Sequence, residues 1–200
     1  MAQVHELSPK GERRRTLILD VAIELFGEVG FRGTSLRDIA TRAGLTHPGL
    51  LYHFASKEQL LQEVLRRRDS RNSELVGITS MDPVERLKAL MVLVEYNETT
   101  RIQVQLFATL SAEATDPSHP AHEFFTTRYE EAVTRYRTMC EGLGERGLLR
   151  HGVDPEVAAR TLIAVMDGMQ IQWLYDPGVP MARVVREVAD SLCVRPVAEL

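Results

Sequence analysis

A chain of 200 residues, with 44% hydrophobic and 26% charged residues, has the composition of an ordinary globular protein and can bury one mid-sized core or two small ones. Its formal net charge of −4 argues against a protein that coats nucleic acid over its whole surface. No apolar run reaches the roughly 18 residues of a membrane span, and the first residues lack the apolar stretch of a secretory signal, so we expect a cytoplasmic protein that does not enter a membrane.

The charge is distributed unevenly along the chain. Residues 1–71 contain 12 Lys and Arg against 9 Asp and Glu, a balance of +3, which leaves −7 for the remainder of a chain whose total is −4. A basic first third on an acidic remainder fits a DNA-binding module attached to a part that does not touch DNA.

The first third begins with a long predicted helix and a short one. Apolar residues recur at spacings of three and four along the whole chain, which predicts an all-α fold. The first helix is predicted from about Pro9 to Val29, and Gly30 is placed to end it. Ser35 and Asp38 form a capping box for a second helix, which stops at Gly44.

Two more helices complete the first third. The third is short and is predicted from Thr46 to about Phe54. Ser56 and Gln59 form a capping box for the fourth, which is predicted from Lys57 to about Arg71. A linker is expected over Gly77 to Asp82, so we predict two domains, residues 1–71 and residues 72–200.

Five further helices are predicted after the linker, two of them opened by an Asp-Pro pair that supplies a cap and a first residue. Their expected bounds are about Pro83 to Glu98, Arg101 to Ala114, Pro120 to Arg146, Pro155 to Tyr175 and Pro180 to Cys193. The residues after them are expected to form a frayed tail. Cys140 and Cys193 match no metal or redox spacing and are interpreted as buried thiols.

Three residues of the second and third helices have the spacing of a helix-turn-helix. Ala40 is small enough to let the two helices cross closely, Gly44 can take the left-handed turn conformation, and Leu50 can lock the third helix onto the second. Thr46 is the expected N-cap, and because Pro48 has no N–H, the cap must serve Gly49. The start of the third helix is therefore open and small, which suits close approach to a DNA groove.

The head of the chain resembles the TetR-type regulators. The segment from Phe26 to Leu65, FGEVGFRGTSLRDIATRAGLTHPGLLYHFASKEQLLQEVL, matches their N-terminal signature closely, and the phrases PAHEFF, VDPEVAA and DGMQIQWLYDP agree with it farther along. The resemblance implies a nine-helix, two-part transcriptional repressor. Residues 1–71 would bind a palindromic operator in double-stranded DNA as a homodimer, and residues 72–200 would dimerise and release the DNA when a small-molecule effector binds.

The resemblance also implies which residues contact DNA. By position, phosphate contacts fall to Thr34, Arg37 and Lys57. The residues that would face the major groove are Thr46, His47 and Gly49, together with Tyr52 and His53, and Pro48 is a further DNA-binding residue. Leu51 stands where the family usually has a tyrosine, so the phosphate contact of that tyrosine is either missing or taken over by Tyr52. Arg13, Arg14 and Arg15 resemble a basic arm for flanking DNA, and a solvated charge run explains them equally well.

Lys57 is unusual for a physical reason. The macrodipole disfavours a cation in the first turn of a helix by roughly 0.3–1 kcal/mol. A bound phosphate would reconcile the lysine with the dipole. The alternative is an exposed lysine that is tolerated at small cost.

Candidate ligand residues lie on the helices that the family folds around its effector. They are apolar or aromatic residues that suit an adaptable pocket, with a few polar ones to orient a ligand: Met91, Glu95, Phe107, Phe125, Tyr129, Met166, Met169, Gln170 and Trp173, with Asn97 and Gln103 as further polar candidates. Core packing is the alternative for each of them. The homodimer is expected to form through the two C-terminal helices, with Trp173 and Leu174 as anchors.

Other functions find little support in the sequence. His119, His122 and Glu123 come nearest to a metal cluster, but Pro120 intervenes and the two rings need not converge. No set of nucleophile, base and orienting residue is found, so neither an enzyme nor a cofactor or a metal is expected. A helical adaptor with a vestigial helix-turn-helix and a thiol sensor using Cys140 or Cys193 remain as alternatives.

Overall fold

The structure is a computed structural model that describes residues 8–76 and 82–200, of which 71–76 are described by their backbone alone. This part of the chain forms nine α-helices and no strand, which confirms the predicted fold class. The helices are α1 (Pro9–Gly33), α2 (Leu36–Arg42), α3 (His47–Leu51), α4 (Lys57–Val76), α5 (Pro83–Asn97), α6 (Arg101–Glu113), α7 (His122–Glu145), α8 (Pro155–Tyr175) and α9 (Met181–Leu192). None of these helices has the length and apolar character that crossing a membrane requires.

The helix starts follow the local capping signals. Ser35 and Asp38 make both bonds of the capping box before α2. Thr46 accepts a hydrogen bond from the N–H of Gly49 at 3.2 Å. Gly49 is the expected donor, because Pro48 has no N–H. Asp82 and Asp154 cap α5 and α8, each followed by a proline in the first turn. These four starts confirm the sequence-based interpretation.

The head, α1 to α4, has an apolar core that continues into the second half of the chain. Its members on α1 to α4 include Ile18, Phe26, Ile39, Leu50 and Leu61. The same cluster contains Leu106, Phe107 and Leu110 of α6 and Phe125 of α7. The head therefore packs directly on α6, and α1 and α6 share the most extensive helix contact of the described structure.

The body, α5 to α9, has a second apolar core. It is built from one face of each of α5, α7, α8 and α9, and includes Leu87, Leu143, Leu162, Trp173 and Val185. Cys140 and Cys193 are buried in this core as free thiols, as expected.

The third helix ends at Leu51 and not near Phe54, and two further expectations also differ from the structure. The fourth helix does not end at Arg71 but continues to Val76, so the predicted border between residues 71 and 72 falls inside α4; the predicted linker lies almost wholly outside the described residues. The expectation of a frayed C-terminus is wrong. Val197 is buried, its N–H donates to the Asp190 carboxylate at 2.6 Å, and the N–H of Val194 donates to the Leu148 carbonyl at 2.9 Å.

Gly30 ends the regular part of α1 in a conformation that few other residues adopt. Its φ of 75° and ψ of 176° break the helix before the last turn. The Glu113 carboxylate of α6 accepts a hydrogen bond from the N–H of Phe31 at 2.8 Å, directly beside this glycine. A Cβ on Gly30 would lie 2.0 Å from Glu113 Oε1. Gly30 thus permits both the backbone turn and the approach of the body.

Gly30 and Gly44 form a matched pair for testing this constraint. We expect Gly44→Ala to lower the free energy of unfolding by roughly 1–2 kcal/mol, because its φ is 66° but no atom lies within 4 Å of the added Cβ. Gly30→Ala should cost at least about 1 kcal/mol more, because Glu113 must also move. Urea unfolding of both variants, and of Gly30→Ala in a Glu113→Ala background, measures the additional loss of unfolding free energy at Gly30. Equal costs at the two glycines, or no coupling to Glu113, would contradict it.

Candidate DNA interface and ligand site

The helix-turn-helix geometry is present as the triplet predicts. Ala40 is buried where α2 meets α3, and Leu50 is fully buried beneath α3. Gly44 has a φ of 66° in the turn, where the N–H of Leu45 donates to the Ala40 carbonyl at 2.8 Å. The turn is therefore closed by backbone bonds, and α3 is held rigidly on α2.

The residues that surround α3 form one exposed surface. Thr46, Pro48 and Tyr52 are exposed, Tyr52 by 72% of its surface, while His47, Gly49 and His53 are half-buried. The Tyr52 ring meets the His53 ring edge to face at 5.2 Å between centroids. Leu51 is also exposed, at the edge of this surface. The structure thus brings six of the sequence-predicted residues together.

The basic start of α1 lies near the end of α3. Burial lowers the pKa of His53, and the positive charges of Arg14 and then Arg15 lower it further. Arg15 itself is paired with Glu63 at 2.9 Å and lies over the Phe54 ring. Arg14 is the member of the arginine run that extends the charge of the α3 surface.

The hydroxyl of Thr34 points into the head and is not available to a phosphate in this structure. Only 3% of the residue is exposed, and its hydroxyl donates to the Gly30 carbonyl at 2.7 Å. The side chain instead holds the turn between α1 and α2. The hydroxyl is therefore engaged inside the head, and the expected contact of Thr34 with a phosphate stays a prediction.

Lys57 has a partner that the sequence does not reveal. Its ammonium donates to the carbonyls of Phe31 and Thr34, each at 2.8 Å, and lies 4.1 Å from the centre of the Phe31 ring. These carbonyls at the end of α1 compensate the cation for its position in the first turn of α4. Two of its three N–H groups are used there, which leaves one for a phosphate.

Arg37 is one of two exposed cations of α2. It makes no ion pair with any residue that the structure describes, whereas Arg32 pairs with Asp116 and Arg42 pairs with Glu24 and Glu28. Among the three predicted phosphate contacts, Arg37 therefore has the side chain that needs no rearrangement to bind DNA.

The predicted ligand residues divide between the two cores. Phe107 and Phe125 belong to the cluster that the head shares with α6 and α7, with their ring centres 5.5 Å apart. Met91, Met169 and Trp173 are buried in the core of the body, and Met166 packs against it. Glu95 is a correction: it is exposed and pairs with Arg186 of α9, so it does not face the interior.

A layer of charged and polar side chains lies among α4, α6, α7 and α8. We call it the polar layer and define it by Arg68, Asp69, Arg128, Tyr129 and Asp167. The Arg128 guanidinium donates to the Asp69 carboxylate, and the Tyr129 hydroxyl donates to the Asp167 carboxylate at 2.8 Å. Burial raises the pKa of Asp167, and burial with the nearby Asp167 charge raises the pKa of Tyr129.

Sequence reasoning placed Tyr129 in a ligand site but missed Arg68. In the printed sequence Arg68 ends a run of three arginines and so resembles a solvated charge run. The structure shows that only 5% of the residue is exposed and that its guanidinium lies over the Phe107 ring, 4.3 Å from the centre. The only signal in the sequence is the helical period, which places Arg68 one turn after the buried Val64 and Leu65.

An open groove of about 640 Å³ runs between α7 and α8. The residues that line it run along α7 from Tyr129 to Arg137 and back along α8 from Asp167 to Glu156. Tyr129 and Asp167 therefore belong both to the groove and to the polar layer. A second open groove, of about 440 Å³, is lined by Asp69 and Arg128, so the polar layer borders two grooves.

The two histidines that came nearest to a metal cluster do not converge. His119 Nδ1 accepts a hydrogen bond from the N–H of Ala121 at 3.1 Å, and His122 Nδ1 donates to the Ala114 carbonyl at 2.8 Å. No group of three or more His, Cys, Asp or Glu in the described ranges could hold a metal ion. His119 serves instead as a buried neighbour of Phe31 and Glu113.

Known protein families and relatives match most of the chain. Residues 18–64 match the family of bacterial regulatory proteins called tetR, and residues 83–195 match the C-terminal part of BetI-type transcriptional repressors. The HTH-type transcriptional repressor KstR2 of Rhodococcus jostii is 31% identical over 181 residues, covering 82% of this chain and 81% of that protein. The HTH-type transcriptional regulator PksA of Bacillus subtilis is 24% identical over 196 residues, covering 94% of each.

A solved structure agrees with these relatives. The ketosteroid transcriptional regulator KstR2 of Mycobacterium tuberculosis is 29% identical in sequence and superimposes with a TM-score of 0.69. The superposition covers 90% of this chain and 95% of that one. The likeness therefore extends over head and body alike.

Replacing Lys57 and replacing Arg37 should have different effects on the free energy of unfolding. We expect Lys57→Ala to lower the free energy of unfolding by about 1–3 kcal/mol, because it removes two charge-assisted hydrogen bonds from the end of α1. Arg37→Ala should change it by less than about 0.5 kcal/mol, because the side chain is exposed and has no ion-pair partner among the described residues. Chemical unfolding of both variants measures this. Equal stability of the two would contradict a structural role for Lys57.

Proposed function

Because this chain belongs to the TetR family of bacterial regulatory proteins, we propose that it is a repressor that binds a palindromic operator as a homodimer and releases it when a small-molecule effector binds. It is a helix-turn-helix, DNA-binding transcriptional regulator. The observation that supports the proposal most is the exposed surface from Thr46 to His53 on a rigidly held α3. Operator DNA lies in the bacterial cytoplasm, so the proposal places the protein there.

We assign two kinds of DNA contact on this surface. The residues that would approach base edges are Thr46, His47, Pro48 and Gly49. The first turn of α3 has small side chains, and the Thr46 hydroxyl already accepts a hydrogen bond from the N–H of Gly49. Tyr52 and His53 would contact the adjacent backbone, joined by Arg37 and the remaining N–H of Lys57. Exposed Tyr52 is the residue available to replace the tyrosine that the family usually has at the position of Leu51.

The dimer would form through the outward faces of α8 and α9. Val157, Ala164, Ile171 and Tyr175 recur on one face of α8 at helical spacing and are all exposed. Trp173, one of the two expected anchors, has its ring buried in the body core of a single chain, so we base the proposed face on the exposed residues of α8 instead. A two-fold axis through this α8 face would set the two α3 surfaces about one DNA turn apart.

Effector binding in the body would act on the head through α6. Glu113 at the end of α6 holds the N–H of Phe31, whose carbonyl is held in turn by Lys57 at the start of α4. A shift of α6 therefore changes the setting of α1 and α4 against α2 and α3. A coupling of about 1–3 kcal/mol would lower operator affinity roughly 5- to 150-fold.

A thiol sensor is the less favoured alternative. Cys140 and Cys193 are both buried, and burial with the neighbouring Cys193 raises the pKa of Cys140 to about 11. A thiol in that state reacts slowly with oxidants, because the thiolate is the reactive form. Unchanged operator affinity after peroxide treatment is the expected result.

Operator binding can be tested on DNA fragments selected from the source genome. We expect wild-type protein to retain specific sequences, with affinity that falls as salt rises. Arg37→Ala should weaken binding to all sequences and reduce the salt slope by about 1, whereas His47→Ala should change the preference between sequences. Arg150→Ala, which removes from the body an exposed cation that makes no ion pair with any described residue, is the matched control and should bind as wild type. Wild-type protein without salt-dependent DNA affinity would instead support the adaptor alternative.

The dimer face has an equally direct test. Ile171→Asp should shift the protein toward monomer and weaken operator binding at least about tenfold, because it buries a charge in the proposed interface. Val92→Asp alters a valine on α5 that is equally exposed, and it should leave both properties unchanged. Sedimentation velocity and DNA titration read the two outcomes. If Ile171→Asp stayed dimeric and bound operator DNA with wild-type affinity, the dimer interface would have to lie elsewhere.

A further inference from the structure

Arg68 carries a buried positive charge that the protein compensates poorly. Its Nε donates to the Gln103 carbonyl at 3.4 Å, a long bond, and its Nη1 lies 3.6 Å from Asp69 Oδ1. A guanidinium has five N–H donors, and these two contacts and the Phe107 ring are its partners among the described residues. A cation that is this deeply buried normally has close carboxylate partners.

The two carboxylates nearby are engaged by other side chains. Asp69 accepts a hydrogen bond from Arg128, and Asp167 accepts one from Tyr129. Burial, followed by the positive charge of Arg128, lowers the pKa of Arg68 to about 9 despite both carboxylates. Each carboxylate near Arg68 therefore also serves a second side chain, and the Arg68 guanidinium has no ion-pair partner closer than 3.6 Å among the described residues.

Two amide oxygens on neighbouring helices are also without partners. Gln103 Oε1 on α6 and Gln170 Oε1 on α8 are buried and accept no hydrogen bond within the described structure. Both residues were polar candidates for orienting a ligand. Both atoms are acceptors, so they would be completed by a donor such as water or a ligand hydroxyl, and not by a carboxylate.

We propose that the effector is an amphipathic organic anion whose carboxylate binds Arg68 in the polar layer. This inference rests on the proposed function and specifies the chemistry of its effector. The apolar part of the ligand extends along the groove between α7 and α8, which reaches the polar layer at Tyr129 and Asp167 and is lined farther along by Val133 and Ile163. Because Arg68 lies on α4, a bound carboxylate acts on the helix whose first residue is Lys57.

The test compares three eight-carbon probes on the full-length protein: octanoate, 1-octanol and octyltrimethylammonium. Octanoate should raise the Tm of wild type by at least about 3 °C at saturating concentration, because it binds the folded state alone. The alcohol and the cation should raise it by less than a third of that. Equal shifts for all three probes, or no shift with octanoate, would overturn the proposal.

Two variants locate the effect. Arg68→Met should abolish the octanoate shift and leave the Tm of the free protein equal or higher, because it replaces an uncompensated charge with an apolar chain of similar length. Arg101→Met removes a guanidinium that also lies over an aromatic ring, that of Trp173, but is exposed, and it should respond to octanoate as wild type. A Tm of free Arg68→Met lowered by more than about 5 °C would make Arg68 a structural residue and refute the assignment.

Operator binding distinguishes failure of this inference from failure of the proposed function. Wild type and Arg68→Met should both retain operator DNA, and octanoate should release only wild type. Retention of DNA by wild type without an octanoate response would refute the carboxylate site and leave the repressor function standing. Loss of specific DNA binding by wild type itself would refute the proposed function.

Discussion

The backbone of Phe31 connects the two halves of this protein, and the rest of the structure depends on how it is held. Its N–H is bound by Glu113 of the body, and its carbonyl is bound by Lys57 at the start of α4. Its ring lies beneath the Lys57 ammonium and beside His119. A Cβ on the residue before Phe31 would clash with the Glu113 carboxylate, so any residue other than glycine there would force that side chain to move. The attachment of the head to α6 therefore includes hydrogen bonds that need close geometry, in addition to apolar contact.

In the proposed mechanism, this attachment makes α4 the helix on which effector sensing and DNA binding would meet. Lys57 at its start holds the end of α1, and Arg68 farther along reaches the polar layer. Lys57 and Arg68 lie about 16 Å apart along the axis of α4, because a helix rises 1.5 Å per residue. Displacement of α4 at either residue is transmitted to the other, because a helix resists bending far more than its side-chain contacts resist shifting.

Much of the fold could be predicted from the sequence, because helix starts are local signals. The Thr46 cap, the Ser35 and Asp38 box and the Asp-Pro pairs each act within one turn of chain, and the structure confirms them. The helix-turn-helix triplet is local in the same sense. The errors concern contacts between distant residues. Thr34 satisfies its hydroxyl at Gly30, Glu95 pairs with Arg186, and the C-terminal turn docks near Leu148, and none of these partners lies within reach of a periodicity argument.

Lys57 and Arg68 show the two ways in which a misplaced charge can be explained. Each violates a local expectation, one as a cation in the first turn of a helix and the other as a cation in the interior. The tertiary structure resolves the first by supplying two carbonyls at hydrogen-bond distance. It resolves the second only in part, because Arg128 and Tyr129 also engage the nearby carboxylates and Arg68 is left with long contacts. A violation that folding itself repairs indicates a structural role, and a violation that folding leaves in place indicates a site that is completed by binding.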